Sequence, residues 1–166
     1  MAGEAPRIDW DAVTEEATRL LSDFIRIDTS NPPGRELAAC EWLSTLLRAE
    51  GIADITFYDA SDAREHGAER MNMTATMAGD GTKAPLILLS HTDVVPVERQ
   101  YWDFEPFSGA VVDGVIYGRG ALDMKSMGVM ELMAMFIIKR HNLPHTRDIV
   151  YMALADEEAG GDWGID

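Results

Sequence analysis

Cysteine is almost missing: Cys40 is the only one in 166 residues. An internal disulfide and a cysteine-based zinc finger are therefore excluded. Long apolar runs are missing too. The longest, residues 127–138, is interrupted by Glu131 and is too short to span a bilayer. The opening MAGEAPRIDW has no basic start followed by an apolar stretch, so no secretory signal is read and a cytoplasmic protein is expected. Basic residues are scarce, with 14 Lys and Arg against 29 Asp and Glu and a net charge of −15. That balance argues against nucleic acid and against an anionic membrane surface as partners. It suits a solvated acidic surface, or a few carboxylates gathered around a cation. Serine-hydrolase and phosphate-loop motifs are absent. Gly118-Arg119-Gly120 runs on to Asp123, where the dinucleotide fingerprint needs glycine. There is no internal repeat, low-complexity tract or interdomain linker.

What is present is a globular composition, 46% hydrophobic and 26% charged, long enough for one real core. Asp9 is placed to cap a helix over residues 10–28, with Val13, Ala17, Leu20, Leu21 and Phe24 at helical spacing. Thr29-Ser30-Asn31-Pro32-Pro33-Gly34 breaks it. A second helix is predicted over 35–50, ending at Gly51, with Cys40 inside it as a small packing residue. The period then changes. Strands are predicted over 52–58 and 71–77, separated by a polar surface loop over 59–70. Residues 86–89 are continuously apolar, as for a central strand covered on both faces. Residues 111–117 read as a hairpin turning at Asp113-Gly114, and 123–141 as a methionine-rich helix whose methionines are core. Residues 149–155 read as another buried strand. The expected fold class is α/β, with a mixed, mostly parallel twisted sheet and helices on both faces.

Polar clusters fall where the apolar strands end, the usual place for a ligand in an open α/β sheet. One is Ser90-His91-Thr92-Asp93, the other Asp156-Glu157-Glu158. His-x-Asp on extended chain puts His91 and Asp93 on one face, an imidazole for a metal and a carboxylate to hold the ring. The plainer reading is a histidine that only hydrogen-bonds at a strand end. Adjacent Glu157 and Glu158 repel and need a cation or a shared proton. One could bind metal while the other acts as general base, or both could lie in an exposed acidic loop. Asp123 could bridge two ions or cap the following helix. Taken together, one histidine and several acids suit zinc or a related divalent ion. His66, His141 and His145 read as surface residues.

Three stretches carry a resemblance: Ser90-His-Thr-Asp-Val-Val-Pro-Val97, Tyr117-Gly-Arg-Gly-Ala-Leu-Asp-Met-Lys125 and Asp156-Glu-Glu-Ala-Gly-Gly161. In that order they resemble the N-terminal motifs of the cocatalytic dizinc peptidases, the family of aminoacylase, carboxypeptidase S, succinyl-diaminopimelate desuccinylase and acetylornithine deacetylase. The resemblance runs from about residue 9 to the end, and the first stretch leans toward the aminoacylase and carboxypeptidase S branch. It implies a zinc-peptidase-like catalytic domain, with residues 1–166 as its N-terminal part and the lid or dimerisation domain absent. It implies two Zn2+, with Co2+ or Mn2+ as possible substitutes. His91 and Glu158 would bind one ion each, Asp123 would bridge them, Asp93 would orient His91, and Glu157 would be the general base. A cis peptide is implied after Asp123. The implied reaction is hydrolysis of an amide in an N-acyl amino acid or small peptide, with a homodimer as a possible full-length form. Five of the seven usual site positions are present, so the alternative is a non-catalytic remnant or fragment that at most binds metal weakly.

Overall fold

The computed structural model describes residues 6–61 and 68–164. Helix α1 spans Trp10–Ile25, and Asp9 caps it by accepting the Ala12 N–H at 3.1 Å. Helix α2 spans Glu36–Ala49. Strands β1 (Asp54–Asp59), β2 (Met71–Met77) and β3 (Lys83–His91) follow. The hairpin strands β4 (Ala110–Val112) and β5 (Val115–Tyr117) turn at Asp113 and Gly114, both at positive φ. Two successive positive φ angles match the twist of a two-residue hairpin, which is why Asp-Gly marks it. Helix α3 spans Lys125–Arg140 and strand β6 spans Arg147–Leu154.

The main sheet has the order β1-β2-β6-β3. It is mixed, as expected, but not mostly parallel. β1–β2 and β2–β6 are antiparallel, and only β3–β6 is parallel. A parallel pair needs a long crossover, and only the segment carrying the hairpin and α3 supplies one here.

The helices cover one face. Along β2 and β6, Met73, Ala75, Met77, Ile149, Tyr151 and Ala153 are buried, and they pair across the two strands on that face. They form a single core with Leu20, Phe24 and Ile25 of α1, Leu43 and Leu47 of α2, and Leu132, Met135 and Phe136 of α3. The alternate residues Thr74, Thr76, Val150 and Met152 are only half-buried. The expectation of helices on both faces therefore fails among the described residues. Nor is the 86–89 run a covered central strand. It lies in β3 at the sheet edge, where Leu86, Ile87 and Leu89 are 40–55% exposed. An apolar run reports that a strand could be covered on both faces, not that it is. The methionines of α3 divide in the same way: Met133 and Met135 are core, while Met127 and Met130 are exposed.

Lys125, fully buried at the start of α3, ties that helix to α1. Its ammonium donates to the Phe24 and Ile27 carbonyls at 3.1 and 2.6 Å. Burial pushes its pKa down to about 7. Cys40 is buried in α2, and burial raises its thiol to about 12, so it is an unreactive packing residue as expected. Among the described residues, no helix is long and apolar enough to cross a membrane.

Candidate metal centre

The parallel pairing of β3 with β6 creates the site. β3 and β6 run the same way with His91 opposite Leu154, so both polar clusters leave the sheet at the same end. The Thr92 N–H and hydroxyl both donate to the Leu154 carbonyl, at 2.8 and 3.1 Å, and lock the two exits together. Asp123 arrives from the other side, two residues before α3. The helix starts at Lys125 with Met124 as its cap residue, so Asp123 is not the helix cap. Its carboxylate is free to face the imidazole, and the Asp123–Met124 peptide is cis, as the resemblance implied.

His91 Nε2 lies 3.1 Å from Asp123 Oδ1 and 3.7 Å from Glu157 Oε2. Its Nδ1 lies 3.1 Å from the Asp93 carbonyl oxygen and 3.3 Å from Asp93 Oδ1. The Nδ1 side is thus occupied by Asp93 and the Nε2 side faces the acids. Ligand atoms of His91, Asp123 and Glu158 all lie within 4.8 Å of one another. Asp93 is fully buried, and its carboxylate accepts the Glu157 and Glu158 backbone N–H groups at 3.1 and 3.0 Å. One residue therefore holds both the histidine ring and the turn carrying the glutamates. That turn is a short 3-10 segment, Glu157–Ala159, entered through Asp156 at φ +68°.

The electrostatics suit a cation. Burial alone would push His91 down, but hydrogen bonding and charge attraction from Asp93, joined by Asp123, raise it to about 9. Glu158 is raised, first by burial and then by repulsion from Asp123, Asp93 and Glu157, against the pull of His91. Asp93 is lowered despite its burial, because His91, Asn31 and the Glu158 N–H all stabilise the carboxylate. One imidazole among clustered carboxylate oxygens is a donor set for zinc or a neighbouring divalent ion, so the residues fit that group. A cleft of about 380 Å³ adjoins them, lined by Leu89, Met124, Leu154, Glu157, Gly161 and Gly164 as well as His91. It has room for a small substrate beside the acids. A larger hollow, near Ala53, Met77 and His145, lies at the opposite end of the sheet.

All five residues picked from the sequence meet here. His141 and His145 lie away from the site, half-buried, and His66 lies outside the described residues. Three further residues were missed. Asn31 donates from Nδ2 to Asp93 Oδ2 and to Asp156 Oδ1, both at 2.9 Å. Arg70 donates to Asp156 Oδ1 from Nε at 3.2 Å and to Asn31 Oδ1 from Nη2 at 2.9 Å. Glu36 is buried behind them. Arg70 departs from the surface-loop expectation for 59–70, of which 62–67 lie outside the described residues, because it is 3% exposed and turned inward by Asp156. Asn31 was hidden by its prolines, which signal a break and nothing about the side chain before them. Asp156, their shared partner, already stood in the Asp156-Glu157-Glu158 cluster.

By fold, the chain is the α/β catalytic-domain type of the M20 peptidases. It superposes on human carnosine dipeptidase 1 with TM-score 0.78 and 22% identity, over 92% of this chain and 34% of that one. On the M20 metallo-carboxypeptidase Sso-CP2 from Sulfolobus solfataricus the values are 0.72 and 22%, over 88% and 32%. By sequence, residues 87–166 match Peptidase family M20/M25/M40, and the chain belongs to that family. It is 33% identical over 147 residues to succinyl-diaminopimelate desuccinylase of Methylobacterium radiotolerans, covering 87% of this chain and 35% of that protein. It is 42% identical over 88 residues to pig (Sus scrofa) aminoacylase-1, covering 51% and 21%. Over its longer alignments the chain spans about a third of the length of its relatives.

Proposed function

We propose that this site serves metal-dependent hydrolysis of an amide bond in an N-acyl amino acid or small peptide. The convergence of His91, Asp123 and Glu158, with Glu157 beside them, carries the reading. The relatives' names, aminoacylase-1, succinyl-diaminopimelate desuccinylase and carnosine dipeptidase 1, support the substrate class. His91 and Glu158 would each hold one of two divalent ions, zinc by preference, and Asp123 would bridge them. When bound, such ions polarise a carbonyl and make water acidic enough to lose a proton near neutral pH. Glu157 is the residue placed to take that proton. Its carboxylate is 64% exposed and lines the cleft beside His91, with Oε2 3.7 Å from His91 Nε2. It then returns the proton to the leaving amine nitrogen. Asp93 fixes the ring so that Nε2 faces the ion. We place residues 1–166 in the N-terminal part of the catalytic domain, and the protein in the cytoplasm, where a lone buried cysteine is at home.

A second reading is a segment that holds a cation without turnover. The exposure of Asp123, 75% for its side chain, favours it, since an open ligand set binds weakly. One experiment separates the two: amine release from N-acetyl amino acids and dipeptides by the Zn2+-loaded chain and by Glu157→Gln. Hydrolysis that falls at least 100-fold in E157Q with zinc retained establishes the enzyme. Zinc uptake with no hydrolysis establishes the second reading. Activity unchanged in E157Q removes Glu157 as the base.

A further inference from the structure

We infer that Asn31 is a positioning residue of this site: its side-chain amide bridges Asp93 and Asp156, and so holds the His91 exit and the Glu157–Glu158 turn in one register. The consequence for metal binding rests on the reading above; the bridge itself does not.

The segment after α1 is built to deliver Asn31. The Thr29 hydroxyl donates to the Thr92 carbonyl at 2.6 Å, the Asn31 N–H to the Val94 carbonyl at 2.9 Å, and the Val94 N–H to the Thr29 carbonyl at 3.1 Å. Residues 29–31 are thereby zipped alongside 92–94 in parallel, with Ser30 opposite Val94, and the Asn31 side chain reaches Asp93. Its side chain is 1% exposed and fully used. An amide offers two N–H donors. Both go to buried carboxylates, one on each chain exit, while Oδ1 accepts from Arg70. The amide orientation follows from chemistry, because ionised carboxylates only accept and a guanidinium only donates.

No other residue type does this as well. Aspartate fills the same space but has no N–H and puts a third carboxylate between two others. Alanine leaves Asp93 and Asp156 facing each other without a donor between them. Asp156 keeps Arg70 in either variant. Asp93 keeps its bonds to His91 and to the two backbone N–H groups, but its Oδ2 is left with the Glu158 N–H as its one donor of the two it had. Groups that orient metal ligands from behind typically change metal affinity 10- to 100-fold when removed.

The test uses the 166-residue chain with Asn31→Ala and Asn31→Asp. Amide hydrogen exchange is measured without metal, and Co2+ affinity by competition with a chelating indicator. The expected result in either folded variant is exchange at least 10-fold faster at Glu157 and Glu158, with amides inside β6 unchanged, and Co2+ affinity 10- to 100-fold weaker. N31D separates donation from packing, since it keeps the volume; if it does not fold, N31A carries both readings. Unchanged exchange at Glu157 and Glu158 overturns the bridge. Faster exchange with unchanged Co2+ affinity overturns the positioning role. A wild-type chain that takes up no Co2+ refutes the metal reading instead, and the exchange data then decide the bridge alone.

Discussion

Glu36 opens α2 and is wholly buried behind Asp93, Asp156 and Arg70. Neither of its carboxyl oxygens has a well-formed hydrogen bond. Burial and then the Asp93 charge raise its pKa from 4.5 to about 7, and Arg70 with the Glu36 and Asp156 N–H groups pulls it back only in part. The consequence for stability has a definite sign. Below about 4.5 Glu36 is protonated folded or unfolded. Between 4.5 and about 7 the folded state holds a proton that the unfolded chain has released, so stability falls as pH rises. Above about 7 the full loss is present. At about 1.4 kcal/mol per pH unit, the loss between those values is about 3 kcal/mol. Glu36→Gln removes the titration while keeping the shape. Urea unfolding of wild type and E36Q at pH 5 and pH 8 measures it. The loss on going from pH 5 to pH 8 should be about 2–3 kcal/mol smaller in E36Q, whatever constant effect the substitution has. Equal losses in the two proteins refute the argument, because every other titrating group is common to both.

Two further outcomes follow from geometry. His91 is held protonated up to about 9 in the metal-free chain and must be neutral to ligate, so metal uptake should release a proton per His91 and tighten about tenfold per pH unit from pH 6.5 toward 9. A pH-independent Co2+ affinity would contradict that assignment. Gly109→Ala drives a Cβ into the Ser22 carbonyl oxygen at φ +60° and disturbs the 2.7 Å Ser22 Oγ–Gly109 carbonyl bond, so it should cost at least about 2 kcal/mol. Gly114→Ala, in open space at φ +80°, should cost about 1 kcal/mol. Equal losses in urea unfolding would show that the Ser22 contact is unimportant.

The local structure was legible because its signals are local. Asp9 capping, the Asp113-Gly114 turn and the alternation of residues 71–77 each depend on a few neighbours, and each stands in the structure. Coverage of the sheet was not legible. Residues 86–89 are apolar whether or not a layer lies over them, and only the strand order places them at an edge. In the site, His91, Asp93, Asp123, Glu157 and Glu158 could be picked out because metal chemistry uses few residue types and strand ends concentrate them. Asn31, Glu36 and Arg70 come from separate stretches of chain, at α1's exit, the start of α2 and the last residue before β2. Nothing near them in sequence says that they share a buried network.

The central claim is that His91, Asp123 and Glu158 are ligands for divalent metal. Visible absorption of the Co2+-loaded chain tests it most directly, with wild type compared with His91→Ala, Asp123→Asn and Glu158→Gln. Wild type should develop a d–d band that saturates with added Co2+, and each variant should lose or shift it while remaining folded by circular dichroism. A wild-type band that persists unchanged in all three variants would place the ion elsewhere, and no band in wild type would remove the ion from this cluster.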